Sequence, residues 1–334
     1  MKAAFYQRKG DPSTVLQVGA RPVPVPGDGE LLVRVAYSAV HPADVKRRAG
    51  LLGNDTYDEI IPHSDGSGTV VAVGSGIMPA EWLNQDVWVY NAQRGRPFGT
   101  AAEYVALPVR QCRRVVGGYG LRDVGGIGIP MLCSHAAVFH CGPVKDKTVL
   151  VTGAAGAVGR NAVQWARWGG ARRIVAVVRD DRQAALAGQL GAHESLVLCP
   201  GEAMPDSALA SVGAVDLVVD VDIGRNAPWV PQTLAQFGVW SAFASSSAIT
   251  LDFRSLTNRN AGIRFIQTHS LAQHELDRAL LDIDRIHADR AVVHQNGPVF
   301  PLDDIAQAHA LVEQGTRAAG TVLISITESA TCQS

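Results

Sequence analysis

The sequence predicts an α/β protein, a β-rich segment followed by a doubly wound parallel sheet with helices on both faces. Three observations carry that prediction. Residues 1 to about 120 hold short β-branched runs, LLVRVAYSAV, GTVVAVGSG, DVWVYNA and EYVALPV, with turn signals such as GDGE, GNDT and RGRPFGT between them. From about residue 126, strand-like runs alternate with Ala-rich helical stretches, the pattern of a sheet buried on both faces. The stretch VLVTGAAGAVGRNAVQWARWGGARRIVAVVRDD, residues 149–181, reads as strand, glycine-rich turn, helix, strand.

The elements follow in order. TVLVT, RIVAVV, AVDLVVDV, VWSAFA and GIRFIQTH are the expected strands of the parallel sheet. After His269, LAQHELDRALLDIDRIH has the spacing of a helix. PVFPLDDIAQAHALVEQG reads as a strand, a capped helix and a glycine stop. GTVLISI closes as a strand, and the polar tail ESATCQS is expected to fray.

Composition narrows the function classes. At 334 residues and 47% hydrophobic, the chain is long enough for two domains with a sizeable core. Thirty Lys and Arg against 31 Asp and Glu leave a formal charge of -1. That balance, with no aromatic-basic stripe, argues against a nucleic-acid partner. MKAAFYQRKG lacks the apolar run of a signal peptide. No stretch approaches the roughly 20 apolar residues of a membrane span. The five cysteines at 112, 133, 141, 199 and 332 are odd in number and scattered, which fits a reducing cytoplasm better than a disulfide framework.

The glycine-rich turn carries the chemistry. A nucleotide pyrophosphate needs a tight turn off a strand, close backbone approach and a helix N-terminus with free N–H groups. The chain offers Ala154-x-Gly156-x-x-Gly159, preceded by Gly153. In isolation an ordinary strand-to-helix turn reads the same way. The strand before it, and the second strand one helix later, favour a dinucleotide site of Rossmann type. Ala155, Gly156, Ala157 and Val158 are the candidate pyrophosphate contacts. The second strand ends at Val178, where an acid would hold the ribose of NAD. Arg179 and Arg182 follow instead, and guanidinium groups suit the 2′-phosphate of NADPH. Asp180 and Asp181 leave open a solvated charge cluster in which acids and arginines pair.

The stretches VAYSAVHPADVKRRAG, IPHSDGSGTVVAVGSGI, FGTAAEYVALP, TVLVTGAAGAVG, QLGAHES, DLVVDV and LDDIAQAHALVEQGTRAAGTVLI, in this order and spacing, resemble the medium-chain dehydrogenase/reductase superfamily. Its zinc-independent quinone oxidoreductase branch, the zeta-crystallin-like proteins, is the most similar. The resemblance covers nearly all of residues 1–326. It implies a GroES-like β-rich catalytic domain, residues 1–125 and 270–334, into which a Rossmann domain, residues 126–269, is inserted. It further implies an inter-domain cleft for the nicotinamide, and a homodimer joined through the 261–269 edge strand.

The resemblance also frames the metal question. Where the zinc branch carries its three ligands, this chain has His41, Ser64 and Ile129, with His63 one residue early and Cys133 four residues late. The four-cysteine structural loop is absent. An irregular site from His41, His63 and Cys133 is conceivable, but ordinary turn and cleft residues with no metal are the expectation. Asp65 matches the carboxylate beneath the cleft, with a structural role implied.

Without a Lewis acid the expected substrates are activated acceptors, quinones or α,β-unsaturated carbonyls, reduced by NADPH. His41 stands where the branch carries an asparagine near the nicotinamide. It is a candidate donor to the substrate oxygen, or equally a hydrogen-bonded turn histidine before Pro42. Lys46 is a second candidate, or a solvated neighbour of Arg47 and Arg48. Tyr57 and Asn91 lie on loops with no fixed geometry from sequence. Cys133 replaces a threonine at a helix start near the nicotinamide and by default is a buried, inert thiol. Phe243 and Ala244 end a strand and are expected to flank the nicotinamide. Two other readings stay open. Lys46, Arg47 and Arg48 would suit the phosphates of an enoyl thioester. A non-catalytic NADPH-binding, sensor or structural role is the other.

Overall fold

A computed structural model describes residues 1–52, 57–199, 202–315 and 320–326. The tail ESATCQS lies outside them. The chain divides into two compact units, Met1–Ile129 with His294–Ser334, and Pro130–Val293.

The first unit is built on a mostly antiparallel sheet. Its path runs Asn296–Pro301, Thr321–Ser325, Glu30–Val40, Asp65–Val73, Asp86–Val89, Cys112–Arg114, with Tyr104–Pro108 also paired to Glu30–Val40. Only the Asn296–Pro301 and Thr321–Ser325 pair is parallel. Glu30–Val40 is the hub because its β-branched run buries Leu31, Val33 and Val35 in the core with Val70, Val87 and Leu107. The helix Pro42–Arg48 starts as Pro42 fixes the first turn and Asp44 Oδ2 accepts the His41 N–H at 2.8 Å.

The second unit holds six parallel strands in the order Glu194–Val197, Arg173–Val178, Thr148–Thr152, Val215–Asp220, Leu234–Ala242, Gly262–Phe265. Numbered along the chain this is 3-2-1-4-5-6, the doubly wound dinucleotide-binding order. Thr148–Thr152 is buried at every residue, as a central parallel strand covered on both faces must be. The helix Asp181–Leu190 begins at Asp180, whose Oδ1 accepts the Gln183 N–H at 2.8 Å, and stops at Gly191 with φ 114°. Glu194–Val197, an edge strand unread in the sequence, is short and half exposed. Gly262–Phe265 forms the opposite edge, with Phe265 62% exposed.

The helix Gln273–Ala288 falls in the second unit, whereas the sequence reading put residues 270–293 in the first domain. Buried polar contacts explain its place. Asp282 Oδ2 meets His135 Nε2 at 3.0 Å, and Gln164 exchanges two hydrogen bonds with the Val293 backbone.

Candidate functional sites

The nucleotide turn sits between the central strand Thr148–Thr152 and the helix Ala157–Trp168. Gly153 carries φ 58°, a conformation that favours glycine, and a Cβ there would stand 2.8 Å from Val221. At Gly159 a Cβ would stand 2.2 Å from the Gly153 carbonyl oxygen, so the helix packs on the turn only without a side chain. The positive φ thus belongs to Gly153, one residue before the motif's first position, and Ala154 is buried. Gly156 is exposed at the N-cap, and Ala155, Ala157 and Val158 are half buried. The first-turn amides of this helix have no intrahelical acceptor and carry the positive end of its dipole.

Asp220 fixes the floor of the turn. It is fully buried at the end of Val215–Asp220 and accepts four hydrogen bonds. The donors are Thr152 Oγ1 at 2.6 Å, Asn226 Nδ2 at 2.6 Å, the Asp222 N–H at 3.0 Å and Trp240 Nε1 at 2.8 Å. Three strand ends are thereby tied together, and the buried charge is fully solvated by the protein.

At the ribose end, Arg179 and Arg182 are both exposed. Asp180 is committed to capping its helix, and Gln183 Oε1 accepts the Arg179 N–H at 3.1 Å. A third guanidinium, missed in the sequence, reaches the same rim. Arg225 Nη2 donates to the Cys199 carbonyl at 3.1 Å, and Cys199 Sγ lies 3.9 Å from the Arg179 carbonyl. Only the fold brings residues 179, 199 and 225 together at the strand ends. Phe243 and Ala244 stand just past Leu234–Ala242, tied back by Phe243 N–H to Asp220 and by Ile223 N–H to Ala244. Cys133 is buried, bonded to the Thr268 side chain, and its thiol is pushed up to about 11 by burial.

The second cluster belongs to the first unit. His41, 4% exposed, places Nε2 2.7 Å from Oδ2 of the fully buried Asp65. The same oxygen accepts the Ile129 N–H at 2.6 Å. Asp65 Oδ1 is buried with no partner among the described residues, and a Cβ on Gly128 would stand 2.7 Å from it. Asp44 is buried beside them, and that burial pushes its carboxyl up to about 6.

His63 is engaged elsewhere. Its Nδ1 lies 2.8 Å from Ser38 Oγ and its Nε2 2.9 Å from His309 Nε2. Of the positions matching zinc ligands, His41 is taken by a carboxylate, Ser64 is a buried hydroxyl and Ile129 offers only its backbone. This donor set does not fit zinc. No group of three or more His, Cys, Asp or Glu among the described residues is arranged to hold a metal ion. Lys46 is exposed, with no side-chain hydrogen bond or ion pair among the described residues; Tyr57 is also exposed. Asn91 is buried in a left-handed turn, φ 53°.

Residues 27–117 match the alcohol dehydrogenase GroES-like domain. The chain is 25% identical over 331 residues to the quinone oxidoreductase of Homo sapiens, covering 97% of each. It is 28% identical over 171 residues, 51% of each chain, to a zinc-type alcohol dehydrogenase-like protein of Schizosaccharomyces pombe. Its fold matches a mycobacterial protein solved with NADPH at a TM-score of 0.82 and 23% identity, over 97% of this chain and 100% of that one. A GroES-like unit, a 3-2-1-4-5-6 parallel sheet and full-length likeness to quinone oxidoreductases place this chain in the medium-chain dehydrogenase/reductase superfamily.

Proposed function

We propose that the protein is an NADPH-dependent oxidoreductase that delivers hydride to quinones or α,β-unsaturated carbonyls without a metal ion. One observation carries the reading. Arg179 stands where a ribose-binding acid would, while the neighbouring Asp180 is committed to its helix cap. The names of its relatives support it, since the human one is a quinone oxidoreductase and the mycobacterial one was solved with NADPH.

When bound, NADPH supplies the hydride. The protein's part is to hold, orient and protonate. The first-turn amides from Ala155 to Val158 take the diphosphate, and Arg179 and Arg182 take the 2′-phosphate. His41 gives a proton to the reduced acceptor. A zinc ion would polarise an ordinary ketone, but His41 is already paired with Asp65. The substrates are therefore acceptors whose developing oxyanion is delocalised, and catalysis rests on orientation and hydrogen bonding. In the same reading two copies join along the Gly262–Phe265 edge, in the cytoplasm.

Steady-state oxidation of NADPH and NADH with 1,4-benzoquinone, 9,10-phenanthrenequinone, a simple enone and crotonyl-CoA, alongside elemental analysis, tests the proposal. Turnover with a quinone or enone, preference for NADPH and indifference to chelators are expected. Stoichiometric zinc, or no binding of either nucleotide, overturns it. Crotonyl-CoA as the best acceptor moves the assignment to an enoyl-thioester reductase.

A further inference from the structure

We propose that Asp65 is a positioning residue that fixes the ring of His41 and the tautomer in which it works as proton donor. The inference rests on the reductase reading above and extends it to a residue whose implied role was structural.

The geometry is built for one purpose on both partners. The His41 backbone is pinned by its N–H to Asp44 at 2.8 Å, and its ring by Nε2 to Asp65 at 2.7 Å. Asp65 is itself held still. Its Oδ2 receives a second donor, the Ile129 N–H, and Gly128 leaves no slack beside Oδ1. A carboxylate accepts only, so His41 Nε2 carries hydrogen and donates. The tautomer is thus set by the carboxylate, and the proton to be given away belongs to the other ring nitrogen, Nδ1.

A mere strut would not need this residue. A buried carboxylate with one oxygen unpartnered is a costly way to tether a ring, and the amide of Asn would offer an acceptor oxygen without the charge. What a carboxylate adds is a negative charge against an imidazole that must carry a proton before it gives one up. The step balances simply. Hydride and its electron pair go to the acceptor, the imidazolium Nδ1–H bond breaks as the substrate O–H or C–H bond forms, and His41 is left neutral with Nε2–H still on Asp65. Solvent then restores the proton.

The test uses the full-length protein and the variants Asp65→Asn, His41→Asn and the double. Asp65→Asn is expected to lower kcat about 10- to 100-fold with the KM for NADPH unchanged. Its alkaline limb in kcat/KM moves at least one pH unit toward acid. The titratable groups facing His41 are Asp65, Asp44 and His63, of which only Asp65 is altered. In the His41→Asn background, Asp65→Asn has less than a twofold further effect. Equal losses in both backgrounds with an unmoved pH profile overturn the proposal.

Nitrogen-15 NMR of the wild-type imidazoles decides the same point without turnover or a folded variant. A His41 with hydrogen on Nε2 supports the proposal, and an Nδ1–H neutral tautomer sinks it. If the wild type reduces no acceptor at all, the reductase reading fails and the NMR result alone judges the couple.

Discussion

Inside the first unit, the direction of every proton in one buried polar chain follows from a single carbonyl. Thr100 Oγ1 lies 2.7 Å from the Asp65 backbone oxygen, which can only accept, so the hydroxyl donates there. It then accepts from Ser38 at 2.7 Å, and Ser38 accepts from His63 Nδ1 at 2.8 Å. His63 Nε2 is left as an acceptor for His309 Nε2–H. His309 Nδ1 is consequently an unprotonated nitrogen, buried with no partner among the described residues. Burial is the main cause holding both rings neutral, His309 at about 3 and His63 well below its ordinary value; it also lowers His287 to about 4. These groups are depressed on folding, so their contribution is whole above 6.5 and is lost as pH falls toward the folded values. Asp44, raised to about 6, acts oppositely, its contribution lost as pH rises from 3.8 through 6. Three histidines outweigh one carboxyl. Each costs up to about 1.4 kcal/mol per pH unit while it stays neutral below 6.5. The melting temperature is expected to fall steadily from pH 6.5 to 4.5, and a flat profile would contradict this account. None of it was legible in the sequence. His63 and His309 are 246 residues apart, and His63 drew notice only as a displaced metal ligand.

At the scale of elements, the glycine-rich turn was the most readable feature, because strand, turn and helix each have local causes. Hydrophobic runs named five of the six parallel strands. They missed Glu194–Val197, whose edge position leaves it half exposed and without a buried run. The register of the motif was also off by one functional residue, since positive φ at Gly153 is a property of the fold and not of composition. Gly159 offers the sharpest test of the turn. Its missing Cβ would meet backbone, which cannot rotate away. Gly159→Ala is expected to destabilise the protein by about 1–3 kcal/mol and to weaken NADPH binding more than tenfold, read by thermal melting and fluorescence titration. Unchanged affinity would show that the turn does not hold the diphosphate.

Across the whole molecule, the two-part organisation and the order of the parallel sheet were foreseeable, because alternation of strands and helices is written in local periodicity. The assignment of residues 270–293 was not. That helix follows the last strand of the sheet, and its side depends on distant partners such as His135 and Gln164. The functional rim was half legible. Arg179 and Arg182 lie in one stretch, whereas Arg225 reaches them only across the strand ends. Replacing Arg179 and Arg182 by Gln is expected to raise the Kd for NADPH about 10- to 100-fold, the loss of one charge-assisted hydrogen bond or so, while sparing NADH. Equal losses for both nucleotides would remove these arginines from the 2′-phosphate.

The carboxylate of Asp220 sets a boundary for anyone who redesigns this protein. Because all four of its neighbours point hydrogens at it, an amide at 220 would turn two hydrogens of its own against them. Coenzyme choice can be rewritten among the exposed arginines at the mouth, but the foundation beneath them tolerates no such editing.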